Sequence, residues 1–165
     1  MMNEDLAAEL HHRAGLDQAV RRRTIKTRDG SAMCRIDADN TAWLEQVFDE
    51  LGWPGIELVG EQGADDAWLL AQHADLAPAV QRRALELLRA AVAAGDAPPR
   101  HLAYLTDRVL VAAREPQVYG TQYIDDGGGS NLRLQPVVDP DRLDERRSAM
   151  GLESAAEYDR RMRGH

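Results

Sequence analysis

Apolar residues recur at helical spacing along most of this chain, interrupted by short polar or glycine- and proline-containing stretches. Leu6, Leu10, Leu16 and Val20 give a stripe over residues 3–26, with Gly15 expected to break or loosen it. Residues 27–37, with Asp29-Gly30-Ser31 inside, read as a loop. Asp37 to Asn40 then offers N-caps for a helix over about 40–51, where Trp43, Leu44, Val47, Phe48 and Leu51 share a face. Gly52-Trp53-Pro54-Gly55 ends that helix, with Trp53 as a packing plug. Further helices are predicted over about 62–75 (Ala67, Leu70, Ala71, Ala74), 77–94 (Val80, Ala84, Leu87, Leu88, Ala91) and 99–113 (Leu102, Leu105, Val109, Ala112).

Beyond Pro116 the pattern changes. Val118–Ile124 and Leu132–Val138 carry β-favouring residues and flank Asp125-Asp126-Gly127-Gly128-Gly129-Ser130, which predicts a hairpin with a longer loop. A helical region over about 140–149, a break at Met150-Gly151-Leu152, a short helix from Ser154 and a frayed tail over 159–165 complete the chain. The expected fold is mainly α: a single helical domain over residues 1–165, core 3–158, with about five to six helices and one small β-hairpin near residues 118–138. Short connections favour near-antiparallel neighbours.

Composition sharpens this picture. With 44% hydrophobic residues but only one Phe, three Trp and four Tyr, the core must be built from Leu, Ala and Val, which favours helices over a β-sandwich. The net charge of −8 gives no bulk attraction to nucleic acid or to an anionic membrane, so neither is expected as a partner. The short basic clusters Arg21-Arg22-Arg23 and Arg146-Arg147 each neighbour acidic residues. Cys34 stands alone, which rules out an internal disulfide and a cysteine-based zinc site. The acidic N-terminus lacks the basic start and apolar run of a signal peptide, and no run reaches the ~18 apolar residues of a membrane span; the expectation is a cytoplasmic protein.

The candidate chemistry lies in a few polar clusters. Gln117-Val118-Tyr119-Gly120-Thr121-Gln122 is the densest. Read as a strand, it places Gln117, Tyr119 and Thr121 on one face and Gly120 where a ligand or another backbone can come close. A corner that satisfies its own backbone with side-chain amides is the alternative. On the helix over 99–113, His101 and Arg108 fall on one side with Tyr104 nearby, and Asp107 points to the opposite flank. Arg108 there suits a carboxylate or phosphate, or else an acidic residue of a neighbouring helix. In Gln72-His73-Ala74-Asp75, Asp75 fits an N-cap of the next helix, and His73 is either a satisfied structural histidine or an acid–base group. Asp17 and Arg21 read as a surface i,i+4 pair, and Arg146, Arg147 and Tyr158 as surface residues. No phosphate-binding loop, dinucleotide fingerprint, nucleophile elbow or His-Glu-x-x-His is present. No metal ligand set and no cofactor is indicated.

Taken in order, Asp17-Gln18 with Arg21, Gly52-Trp53-Pro54, Gln72-His73-Ala74-Asp75, Asp107-Arg108, Gln117 with Tyr119-Gly120-Thr121-Gln122, and Arg147 with Gly151-Leu152 and Tyr158 resemble a bacterial family of domains of unknown function marked by its Tyr-Gly-Thr-Gln motif. The resemblance covers roughly residues 16–158 and implies that His73, Asp107, Arg108 and Gln122 belong to one motif set. It supplies no reaction.

Two function classes fit these residues. One is an enzyme acting on a small polar or anionic substrate, peptide- or amide-like in its groups. In it His73 and Asp107 are the catalytic candidates, and Arg108, Gln117, Tyr119, Gln122, Asp17 and Gln18 bind or orient. That arrangement requires the helices carrying His73 and Arg108 to be neighbours. The other is a non-catalytic interaction protein of the immunity type, whose polar residues form a buried structural network. Oligomeric state is not readable.

Overall fold

Seven α-helices and one two-stranded antiparallel sheet make up the regular structure of the computed structural model, which describes residues 1–127 and 131–164. The helices are α1 (Glu4–Thr27), α2 (Ser31–Leu51), α3 (Ile56–Gln72), α4 (Pro78–Ala93), α5 (Pro99–Ala112), α6 (Leu143–Ala149) and α7 (Ala155–Met162). The strands are β1 (Tyr123–Asp125) and β2 (Leu132–Leu134). The chain is thus mainly helical with one small hairpin, as the pattern predicts. The two short C-terminal helices stand where the pattern predicts a helical region over about 140–149 and a short helix from Ser154. Residues 128–130 of the expected hairpin loop, and His165 of the expected frayed tail, lie outside the described residues.

The sequence suggests one domain; the backbone gathers into two compact units, residues 1–98 and 99–165. In the first, α1 packs along both α2 and α3, and α4 closes on α2 and α3. Leu10, Leu44, Ala67, Leu70 and Leu88 form its centre. The Asn3 side chain caps α1 by accepting from Leu6 N at 3.0 Å. The helix then runs unbroken through Gly15, contrary to expectation. One interior glycine costs about 1 kcal/mol relative to alanine, too little to break a helix held by packing on two sides.

The inward stripe of α1 also differs from the one expected. Leu16 is 44% exposed; the buried positions are Leu6, Leu10, Ala14 and Asp17. That series keeps helical spacing and ends on a carboxylate rather than an aliphatic group. The predicted loop over 27–37 is also much shorter. Arg28 adopts φ 58° and Asp29 Oδ1 accepts from Ser31 N at 3.0 Å, so the turn is complete within three residues and α2 starts at Ser31. Asp37 and Asn40 therefore sit inside α2 and face inward instead of capping it.

Trp53 packs as the plug expected of it, stacked on Phe48 with ring centroids 5.8 Å apart. Helix α3 begins earlier than predicted, at Ile56, and is interrupted at Gly60 with φ 75°. Asp96 holds its start: the Asp96 carbonyl accepts from Ile56 N at 2.9 Å and its Oδ1 accepts from Glu57 N at 2.7 Å. The α4 N-cap is Ala77 rather than Asp75; Asp75 Oδ1 instead accepts from Gln81 Nε2 at 3.0 Å.

In the second unit, the hairpin pairs Tyr123 with Leu134, Ile124 with Arg133 and Asp125 with Leu132. The strands are shorter than predicted, because residues 118–122 leave the extended conformation to wrap a buried side chain of α5. On α5 itself, Leu105 is the one fully buried member of the expected stripe; His101, Ala103 and Asp107 are buried with it. Ser154 caps α7 in a reciprocal capping box with Glu157.

A Cβ on Gly55 would lie 1.9 Å from Asp96 Oδ2 and 2.8 Å from the Asp96 carbonyl oxygen. Gly55→Ala must displace Asp96 from the start of α3. It is expected to lower the unfolding free energy by about 1–3 kcal/mol, measured by urea denaturation.

Candidate functional site

Each unit carries its own polar cluster, and the two are built on opposite principles. In the first unit, Asp17 of α1 is completely buried. Its Oδ1 lies 2.8 Å from Nδ1 of His73, the residue that caps the C-terminus of α3. Its Oδ2 accepts from Gln18 Nε2 at 2.9 Å and from Arg21 Nε at 3.2 Å. Arg21 reaches on to α2, where Nη2 donates to Asp37 Oδ1 at 2.6 Å. Residues of three helices therefore meet here, joined by a sequence separation of 56 between Asp17 and His73. The Asp17–Arg21 pair expected at the surface is an interior one.

His73 Nδ1 is also 3.0 Å from Arg21 Nε. It cannot donate to Asp17 and accept from Arg21 at once. The shorter contact to a carboxylate oxygen fixes the choice: Nδ1 carries the proton and donates to Asp17, and Arg21 Nε donates to Asp17 Oδ2. Nε2 is then the free end of the neutral ring. Among the described residues no side chain or backbone group bonds it, and the His73 side chain keeps 16% of its surface exposed.

The two carboxyls respond in opposite directions. Burial pushes Asp17 up, but the His73 hydrogen bond, the Arg21 charge and the Gln18 contact, joined by the charge of His73 whenever its ring is protonated, outweigh it and leave Asp17 below the ordinary range. Burial pushes Asp37 up as well, and there it prevails over Arg21. Among the described residues no group of three or more His, Cys, Asp or Glu side chains is arranged to hold a metal ion.

In the second unit, Asp107 is completely buried and both its oxygens are engaged. Oδ1 accepts from Val118 N at 2.8 Å and Tyr119 N at 3.0 Å; Oδ2 accepts from Thr121 N at 3.0 Å and Thr121 Oγ1 at 2.8 Å. The carbonyl groups of the same segment point at cations and hydroxyls. Arg146 Nε donates to the Val118 carbonyl at 2.8 Å and Arg147 Nη1 to the Tyr119 carbonyl at 2.7 Å. Tyr158 Oη donates to the Thr121 carbonyl at 2.9 Å. Gln117 closes the segment: its Nε2 donates to the carbonyls of Gln122 and Gln135 at 2.9 and 3.0 Å, and its Oε1 accepts from Gln122 N at 2.9 Å.

Arg147 and Tyr158 were expected at the surface, yet Arg147 is only 1% exposed and its guanidinium lies 4.9 Å from the Tyr158 ring centroid. Burial, and then Tyr104, push the Tyr158 phenol up, which keeps it a proton donor for the Thr121 carbonyl. Gly120 has φ 64°, and a Cβ there would meet Leu143 at 3.1 Å; the approach it permits is to Leu143 of α6. The strand-like alternation of Gln117, Tyr119 and Thr121 is therefore not observed. Asp107 needs three backbone N–H groups from four consecutive residues, and an extended strand points successive N–H groups to opposite edges.

Of the expected site residues, the structure joins Asp17, Gln18 and His73 in the first cluster, and Asp107, Gln117 and Tyr119 in the second. Gln122 extends the second, with Nε2 donating to Thr121 Oγ1 at 2.9 Å and Oε1 accepting from Arg108 Nη1 at 3.5 Å. Asp37 was missed as a site residue. Its signal was a carboxylate at an inward helical position, hidden because that stretch read as a loop.

The chain matches the model of a family of unknown function, DUF6624, over residues 4–164, and it belongs to that family. No curated protein matches the chain, and no solved structure does.

Two measurements test these clusters. Asp107→Asn replaces an oxygen by an amide nitrogen that cannot accept, so buried donors lose their partner. A loss of roughly 2–3 kcal/mol in unfolding free energy is expected from denaturant titration. The second is a pH dependence. The folded-state value of Asp17 lies below the ordinary 3.8, so its contribution is present above that value and is lost as pH falls through the folded one. The stability gap between wild type and Asp17→Asn should therefore hold above pH 3.8 and narrow as pH falls below it, followed by thermal unfolding at each pH.

Proposed function

We propose that this protein is an enzyme that uses His73 as an acid–base centre on a small polar or anionic substrate, peptide- or amide-like in its reacting groups. One observation carries the reading. A fully buried carboxylate, Asp17, receives Nδ1–H of His73, so the ring presents Nε2 at a partly exposed position. A buried aspartate of this kind fixes the tautomer and stabilises the imidazolium formed when Nε2 takes a proton. Gln18 and Arg21 hold Asp17 in place rather than touching substrate, as their bonds to Oδ2 indicate.

In this reading Asp107 and Gln117 leave the reacting set, since all four Asp107 contacts and the whole Gln117 amide serve the chain. The reading rests on the first unit alone, and Arg108, Tyr119 and Gln122 of the second unit carry no role in it. The reading also takes the ordered motifs as the signature of the family and the bacterial cytoplasm as its setting, with neither nucleic acid nor membrane as partner. No helix among the described residues is long and apolar enough to cross a membrane.

A second reading has its own support. In the second unit the polar motif residues satisfy the backbone of residues 118–122, which is what a non-catalytic interaction protein with a rigid internal network requires.

A thermal-shift screen of wild type and His73→Ala against metabolites, peptides and metal ions separates the two. The acid–base reading expects a ligand that raises the melting temperature of wild type and not of the variant. Turnover of that ligand should fall about 100-fold or more in His73→Ala and in Asp17→Asn. Ligands that bind both proteins equally, or none at all with a variant that itself melts far lower, would support the interaction protein.

A further inference from the structure

We propose that Asp37 is a positioning residue for the His73–Asp17 pair and acts through Arg21. The inference rests on the acid–base reading of His73 and adds a third layer to it. Arg21 spans two carboxylates with different nitrogens: Nε serves Asp17 Oδ2 and Nη2 serves Asp37 Oδ1. The Asp37 contact is the shorter, 2.6 Å against 3.2 Å, so Asp37 is the stronger restraint on the guanidinium.

Arg21 needs that restraint. Its side chain is partly exposed and hydration competes for it. Released from Asp37, it can swing toward water and leave Asp17 Oδ2 with Gln18 as its remaining fixed side-chain donor besides the ring. Released in the other direction, Nε settles on His73 Nδ1, 3.0 Å away, and favours the tautomer with the proton on Nε2. That tautomer offers no lone pair at the exposed end of the ring. Asp37 thus holds Arg21 in the arrangement that leaves His73 Nδ1 to donate to Asp17. Its carboxyl is held at a position where burial opposes its charge, so it is not an incidental surface group. The charged and titratable groups bonded within this cluster are Asp17 and Arg21 of α1, Asp37 of α2 and His73 at the end of α3.

The test is the imidazole nitrogen spectrum of His73 in the intact protein at alkaline pH, read by long-range 15N–1H correlation and requiring no substrate. Wild type should show one neutral form, protonated at Nδ1. Asp37→Asn should show a mixture or the Nε2–H form, and Asp37→Glu should restore the wild-type pattern. Arg21→Lys keeps the charge but cannot span both carboxylates, and it should give the same mixture; it decides the matter if Asp37→Asn does not fold. A wild-type ring protonated at Nδ1 and unchanged in both Asp37→Asn and Arg21→Lys would overturn the role of Asp37 alone. A wild-type ring already protonated at Nε2 would overturn the acid–base reading and this inference with it.

Discussion

A carboxylate removed from water must be surrounded by donors, and both units of this protein are organised around one such group. Desolvating an anion costs several kcal/mol, so every nearby donor is recruited to it. Asp107 recruits backbone: three N–H groups and one hydroxyl of residues 118–121 converge on it. Asp17 recruits side chains: an imidazole, a guanidinium and an amide. The same physical demand therefore yields a rigid corner in one unit and a tunable polar cluster in the other.

The corner is also balanced on its opposite side. A buried guanidinium, Arg147, takes the carbonyls of Tyr119, Gly120 and Glu153, and its face lies over Tyr158. Residues 118–122 are thus gripped by an anion through their N–H groups and by cations and a phenol through their carbonyls. Irregular backbone inside a protein needs such partners because it forms no ladder of its own. The positive φ of Gly120 and its contact with Leu143 complete the turn, where any side chain would be strained.

The first cluster differs in what it leaves unused. Asp17, Gln18, Arg21 and Asp37 satisfy one another around Nδ1 of His73, and the other ring nitrogen faces no protein partner among the described residues. The acid–base proposal rests on this oriented histidine with one open nitrogen.

The sequence by itself determined that the chain is mainly helical with one small hairpin, because helical periodicity and turn residues act over a few positions. Helix α2 starts earlier than predicted, and the start of α3 and the short strands were set by tertiary contacts. It marked Asp17, Gln18, His73, Asp107 and Gln117 as candidate site residues. It did not say which of them serve structure. Asp17 looked like one half of a surface pair because Leu16 beside it was read into the stripe; the face that begins at Leu6 and Leu10 continues through Ala14 to the Asp17 carboxylate instead. Arg147 and Tyr158 looked like surface residues because their partners, the carbonyls of residues 119–121, are 27 to 37 positions away. Asp37 was lost to a loop that proved to be helix. Only tertiary structure decided these roles, since a hydrogen bond between distant residues leaves no periodic trace in the chain.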